Sequence, residues 1–165
     1  MRKEEILQGG ERASAIWQCH TSSLPRILVV DDEPLIRQLN TEVLLESGYE
    51  VDAAEDGAVA WETLQHSGYD LLITDNDMPN VSGVDLLKKL CAARIPMPVI
   101  MVTGTFPQDE FARYPWLQPA ATLLKPYTLA ELLGAVKKIL RASNGDREQL
   151  VSSGHPSPYQ CIPHS

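Results

Sequence analysis

Long apolar runs are missing from the sequence. The longest are about five residues, as in Pro98 to Val102, far short of the ~20 that a membrane helix needs. The start, Met1-Arg2-Lys3-Glu4-Glu5, has no apolar stretch behind it, so no signal peptide is expected. Cysteine is scarce: Cys19, Cys91 and Cys161 are widely spaced and odd in number, which fits neither a disulfide framework nor a zinc site. A reducing cytoplasm is the expected setting. Basic charge is also in deficit. Lys and Arg total 14 against 22 Asp and Glu, a net charge of −8, and most of that excess falls within residues 25–142. Such a surface repels phosphate backbones, so neither a nucleic acid nor a membrane is an expected partner. Converging acids would attract a divalent cation instead.

What remains is ordinary globular composition, 44% hydrophobic and 22% charged over 165 residues, enough for one domain with tails. Residues 1–24 are polar and read as a flexible leader, with Ile6, Leu7, Ile16 and Trp17 able to form one short docking helix. Residues 143–165 carry Ser-Ser-Gly and three prolines and read as a disordered tail, too short for an output domain.

Between these, short apolar runs alternate with helical patterns. The runs are Ile27–Val30, the weaker Val51–Ala54, Leu71–Thr74, Val99–Val102 and Thr122–Leu124. Pro34 suits the first position of a helix, which Gly48 stops. Gly57–Gln65 is a second helix. Ser82 with Asp85 and Thr128 with Glu131 form capping boxes that open helices at Gly83–Ala92 and from Leu129 to Leu140. Pro107, Pro115 and Pro119 leave room only for a short fourth helix, about Gln108 to Arg113, because the residue before a proline avoids helical geometry. Continuously apolar strands mark a parallel sheet covered on both faces. The expected fold is therefore α/β, a doubly wound five-stranded parallel sheet with helices on both faces, over residues 25–142.

In such sheets, ligands bind outside the carboxyl ends of the strands. Asp31 and Asp32 follow strand one, Asp75 strand three, Thr103 strand four and Lys125 strand five. Three carboxylates repel one another unless a cation joins them, and an all-oxygen set suits Mg²⁺. A carboxylate beside Mg²⁺, an ammonium and a hydroxyl is equipped to accept a phosphoryl group.

Four segments, Val29-Val30-Asp31-Asp32-Glu33-Pro34, Asp75-Asn76-Asp77-Met78-Pro79 with Ser82-Gly83, Val102-Thr103-Gly104 and Lys125-Pro126-Tyr127, resemble in order and spacing the receiver domain of two-component response regulators. The resemblance implies a flavodoxin-like strand order 2-1-3-4-5, with Asp75 as phosphoacceptor and Thr103 and Lys125 on the phosphoryl group. It implies Mg²⁺ held by Asp31, Asp32, Asp75 and the backbone carbonyl of Asp77. It further implies a histidine kinase or histidine phosphotransfer protein as donor, output through protein contacts, and no enzymatic turnover beyond loss of the protein's own phosphoryl group.

Two rivals remain at this point. Asp75-Asn76-Asp77 also resembles the Asp-x-Asp signature of haloacid-dehalogenase-type phosphatases, although that motif usually follows the first strand. A receiver-fold adaptor that is never phosphorylated is the other. Thr122 is a departure from the family, which usually has Tyr or Phe three residues before the lysine. Asp77 is another, adding a carboxylate at the site mouth.

Overall fold

The computed structural model describes residues 24–150, with side chains through residue 145. Five strands, β1 (Arg26–Val30), β2 (Glu50–Ala54), β3 (Leu71–Asp75), β4 (Val99–Thr103) and β5 (Ala121–Leu124), alternate with five helices. These are α1 (Pro34–Glu46), α2 (Gly57–His66), α3 (Gly83–Ala92), α4 (Gln108–Arg113) and α5 (Leu129–Leu150). All pairings are parallel, in the order β2-β1-β3-β4-β5, as the sequence led one to expect. Among the described residues no helix is long and apolar enough to cross a membrane.

The order explains the composition of the strands. β1, β3 and β4 are central and buried along nearly their whole length, whereas the edge strands β2 and β5 are partly exposed. Alternate residues serve two cores. Leu28, Val30, Leu72 and Met101 pack with Ala60 and Leu64 of α2 and Leu86 and Leu90 of α3. Ile27, Val29, Ile73, Ile100 and Val102 pack with Leu44 of α1 and Leu132, Val136 and Ile139 of α5. Trp61, Trp116, Met97 and Met101 are packing residues of the first core.

The helix ends follow their local chemistry. Pro34 opens α1 and Ser47 caps it, with Gly48 at φ 89°, in the left-handed region that glycine enters freely. Both expected capping boxes form, at Ser82/Asp85 and at Thr128/Glu131. α4 stops before Tyr114-Pro115.

Three expectations need correction. α5 continues past residue 142 to Leu150, so residues 143–150 are helical where a disordered tail was expected. Ala142, Arg147, Glu148, Gln149 and Leu150 are strong helix formers, and together they outweigh Gly145. On α1 the apolar spacing is misleading: Leu35 and Leu39 are exposed, and Asn40 is buried with Leu44. Cys91 is buried in the first core but disulfide-bonded, where a reducing setting was expected; Cys19 and Cys161 both lie outside the described residues. So do the rest of the leader, with its suggested docking helix, and residues 151–165.

Candidate functional site

Every strand carboxyl end faces the same rim, and the rim collects the acids. Asp31 leaves β1, Asp32 follows it, and Asp75 ends β3, which lies beside β1. One oxygen from each of the three carboxylates falls within 4.8 Å of the others. Asp31 and Asp75 are buried at 2% and 3% exposure, while Asp32 is exposed. Lys125, just past β5, reaches in with Nζ 3.3 Å from Asp75 Oδ2 and 3.9 Å from Asp31 Oδ2.

Local hydrogen bonds hold this geometry. Asp31 Oδ1 accepts from the Glu33 amide at 2.9 Å, and the Arg37 guanidinium donates to the Asp31 carbonyl at 2.7 Å. Asn76 clamps the loop after Asp75. Its amide donates to the Val102 carbonyl at 2.8 Å, and its Oδ1 accepts from Val84, in the first turn of α3, at 3.1 Å. Gly83 allows that approach: a Cβ there would lie 2.7 Å from the Asp75 carbonyl oxygen. Lys125 is joined to Pro126 by a cis peptide.

Charge is not balanced. Burial pushes the Asp31 carboxyl above the usual range, the Glu33 amide and Lys125 pull it down, and Asp75 and Asp32 push it up again; the net direction is up. Burial works against the Lys125 ammonium, but Asp75 and Asp31 outweigh it and its pKa is raised. One ammonium, paired with Asp75 and Asp31, thus does not fully neutralise a cluster of three carboxylates. Clustered hard oxygens, one of them destabilised as an anion, are the donor set for a small divalent cation, so Mg²⁺ fits here.

Thr103 is fully buried at the end of β4. Its hydroxyl lies 2.7 Å from the Thr105 carbonyl and 3.2 Å from Asp77 Oδ2. The Gly104 amide also donates to Asp77 Oδ2, at 3.3 Å, and the Asp77 amide donates to Asp75 Oδ1, at 3.3 Å.

The structure therefore brings all the sequence-derived residues to one rim. Sequence reasoning missed Asn76 as a clamp, the Gly104 amide, and the hold of Asp77 on the β4 end. Of these, only the position of Asp77, two residues past Asp75, left any signal. Among the described histidines, His66 is exposed and bonded to its own helix, away from the rim.

A buried aspartate thus ends the third strand of a doubly wound parallel α/β domain, with two acids from the β1 end and a lysine from beyond β5 beside it. The chain belongs to the response regulator receiver domain family, whose model matches residues 27–137. It is 32% identical over 116 residues to the transcriptional regulatory protein CusR of Escherichia coli K12, a match covering 70% of this chain and 51% of that protein. The probable transcriptional regulatory protein SilR of Salmonella typhimurium is likewise 32% identical, over 72% of this chain and 52% of that protein. The chain thus spans about half the length of these relatives.

Among solved structures, a CheY-like response regulator receiver domain protein from Methanospirillum hungatei superposes with a TM-score of 0.70 at 29% identity, covering 75% of this chain and 99% of the other. The response regulator TrrA of Thermotoga maritima, solved in complex with Mg²⁺ and BeF, is 35% identical with a TM-score of 0.62, over 70% of this chain and 99% of the other.

Proposed function

We propose that this domain accepts a phosphoryl group on Asp75 from a phosphohistidine of a histidine kinase or histidine phosphotransfer protein. The observation that carries this reading is a buried carboxylate set 3.3 Å from Lys125 Nζ and within the Asp31–Asp32 cluster. An Asp75 oxygen attacks phosphorus in line with the leaving imidazole. The P–O bond forms as the P–N bond breaks, and the departing ring nitrogen takes up a proton. Lys125 and the Thr103 hydroxyl meet the equatorial oxygens. Mg²⁺, held by Asp31, Asp32, Asp75 and the Asp77 carbonyl, would supply charge neutralisation at those oxygens. Water then hydrolyses the acyl phosphate and resets the domain, so the domain acts as a switch rather than as a turnover enzyme.

Output runs through protein contacts biased by phosphorylation, with residues 25–142 as the working unit. The acidic domain itself makes no nucleic-acid contact. It works in the cytoplasm, where the Cys91 disulfide would be reduced; the site draws no residue from it. The haloacid-dehalogenase reading is not favoured, because Asp75 ends the third strand and Asp31-Asp32 has no place in that pattern. The intact acids, threonine and lysine likewise speak against an adaptor that is never phosphorylated.

A small phosphodonor with Mg²⁺ should add one base-labile phosphoryl group, which borohydride trapping and mass spectrometry locate on Asp75. Asp75→Asn should stay unlabelled. Full labelling of that variant would overturn the assignment.

A further inference from the structure

The Thr103 hydroxyl and the Gly104 amide, the donors at the β4 end beside Asp75, already hold an anion. Asp77 Oδ2 accepts from the Gly104 amide at 3.3 Å and sits 3.2 Å from the Thr103 hydroxyl. Lys125 flanks Asp75 from β5, while Thr103 and Gly104 flank it from β4. A tetrahedral group on Asp75 needs the β4 side as much as the lysine side, and on the β4 side Asp77 stands in its way. The Thr103 hydroxyl has one proton, and the Thr105 carbonyl at 2.7 Å is a second acceptor for it. The Gly104 amide has a fixed direction, and it points at Asp77.

We propose that Asp77 is a resident anion, filling the β4 side of the phosphoryl site in the resting state, and that it must swing out before Thr103 and Gly104 can hold a group on Asp75. This rests on the phosphoacceptor reading and adds a threshold to it. Two effects act in one direction. Hydrogen bonds to a carboxylate are stronger than neutral ones, so freeing the donors costs free energy. A carboxylate left beside an incoming dianion also repels it. The movement is sterically open, because Asp77 is exposed and can rotate into solvent without unpacking either core. Its amide, bonded to Asp75 Oδ1 at 3.3 Å, keeps the backbone in place while the side chain moves.

The probe is fluoroberyllate, titrated at saturating Mg²⁺ into the full chain and followed by ¹⁹F NMR. Saturating metal removes any contribution from altered Mg²⁺ affinity. Asp77→Asn removes the charge, and Asp77→Ala removes both charge and acceptor. Both should bind the probe about tenfold more tightly than the unaltered protein, which corresponds to about 1.4 kcal/mol. In metal-free, probe-free protein, the Gly104 amide proton should move upfield in Asp77→Ala as its carboxylate partner is lost. Equal or weaker probe binding by both variants overturns the resident-anion proposal and leaves the phosphoacceptor reading standing. Binding by none of the three proteins overturns the phosphoacceptor reading itself. Binding by the variants but not by the unaltered protein is the strongest form of the expected result.

Discussion

Lys125 Nζ lies 3.3 Å from Asp75 Oδ2 and 3.9 Å from Asp31 Oδ2, so one ammonium serves two buried carboxylates. Its pKa is raised in the fold. A raised lysine contributes stability that is complete below its unfolded value and is lost only as pH rises through the folded one. At neutral pH the contribution is therefore whole. Lys125→Ala should lower the melting temperature of the metal-free protein and tighten Mg²⁺ binding about fivefold, since a cation then meets an uncompensated cluster. Calorimetric titration of both proteins checks this, and unchanged Mg²⁺ affinity would count against the contact.

Asp31 should behave in the opposite sense. Its carboxyl is pushed up, first by burial. A carboxyl raised in the fold binds protons more tightly there than in the unfolded chain, so ionising it costs stability as pH rises above about 4, its ordinary range. Asp31→Asn keeps an oxygen for the Glu33 amide and removes the charge. The metal-free variant should melt about 4 °C higher, in keeping with about 1 kcal/mol in a domain of this size. Mg²⁺ should raise its melting temperature much less than it raises that of the unaltered protein. A lower melting point without metal would show that Asp31 supports the fold rather than straining it.

Asp32 separates metal binding from folding, because it belongs to the same cluster but is exposed. Asp32→Asn should leave the metal-free melting temperature within about 1 °C, as surface substitutions usually do. It should weaken Mg²⁺ binding at least tenfold, about 1.4 kcal/mol. Titration with Mg²⁺ against a nearby spectroscopic probe decides, and unchanged affinity would remove Asp32 from the site.

The strand ends were legible in sequence because each rim residue directly follows an apolar run. Parallel strands joined by helices bring their carboxyl ends to one edge, which places Asp31, Asp75, Thr103 and Lys125 together. Capping boxes and prolines gave the helix starts and the short α4 for the same local reason. What stayed hidden depends on distant contacts. Asn40 looks like a surface residue until Tyr127, 87 residues away, is found taking its hydrogen bond at 2.8 Å. Asn76 looks like a turn residue until Val102 and Val84 are found on either side of it. The Asp77 carboxylate could have faced solvent, the metal or β4, and only the three-dimensional placement of Gly104 chooses among these.

Gly83 offers a test of how tightly α3 must press on the loop that carries Asp75. A Cβ there would meet the Asp75 carbonyl oxygen at 2.7 Å and Asn76 Cα at 3.0 Å, both backbone atoms that cannot yield cheaply. Gly83→Ala should destabilise the domain by about 2 kcal/mol, as overpacking does, and slow the labelling of Asp75 by a small phosphodonor. Gly134→Ala is the control, because its Cβ would meet nothing within 4 Å. That change lies inside α5 and should stabilise by about 0.5 to 1 kcal/mol. Denaturant unfolding of both variants measures the contrast, and equal effects would mean that the close approach at Gly83 is relieved without consequence.

Ala121 and Leu123 of β5 pack into the α1/α5 core, so strand alternation turns Thr122 and Leu124 toward the α4 side. A small side chain at 122 cannot act there as a large moving ring. Tyr127 does not take its place, since it packs in the α1/α5 core and accepts a hydrogen bond from Asn40. Tyr114 lies on the correct side, but its ring is already in edge contact with Trp116 at 5.8 Å and under Lys88 Nζ at 4.5 Å. Pro107 and Pro115 bracket α4, limiting how it can re-form. The stretch from Thr103 to Gln108 joins the site directly to α4 and carries the Thr103 hydroxyl, the Gly104 amide and the exposed Phe106. Adding fluoroberyllate and Mg²⁺ should therefore shift backbone resonances mainly in Thr103–Gln108, with smaller changes at Thr122 and along α5. Large shifts spread evenly over α4, β5 and α5 would show that another side chain, with Tyr114 the first to examine, does the work of the missing ring.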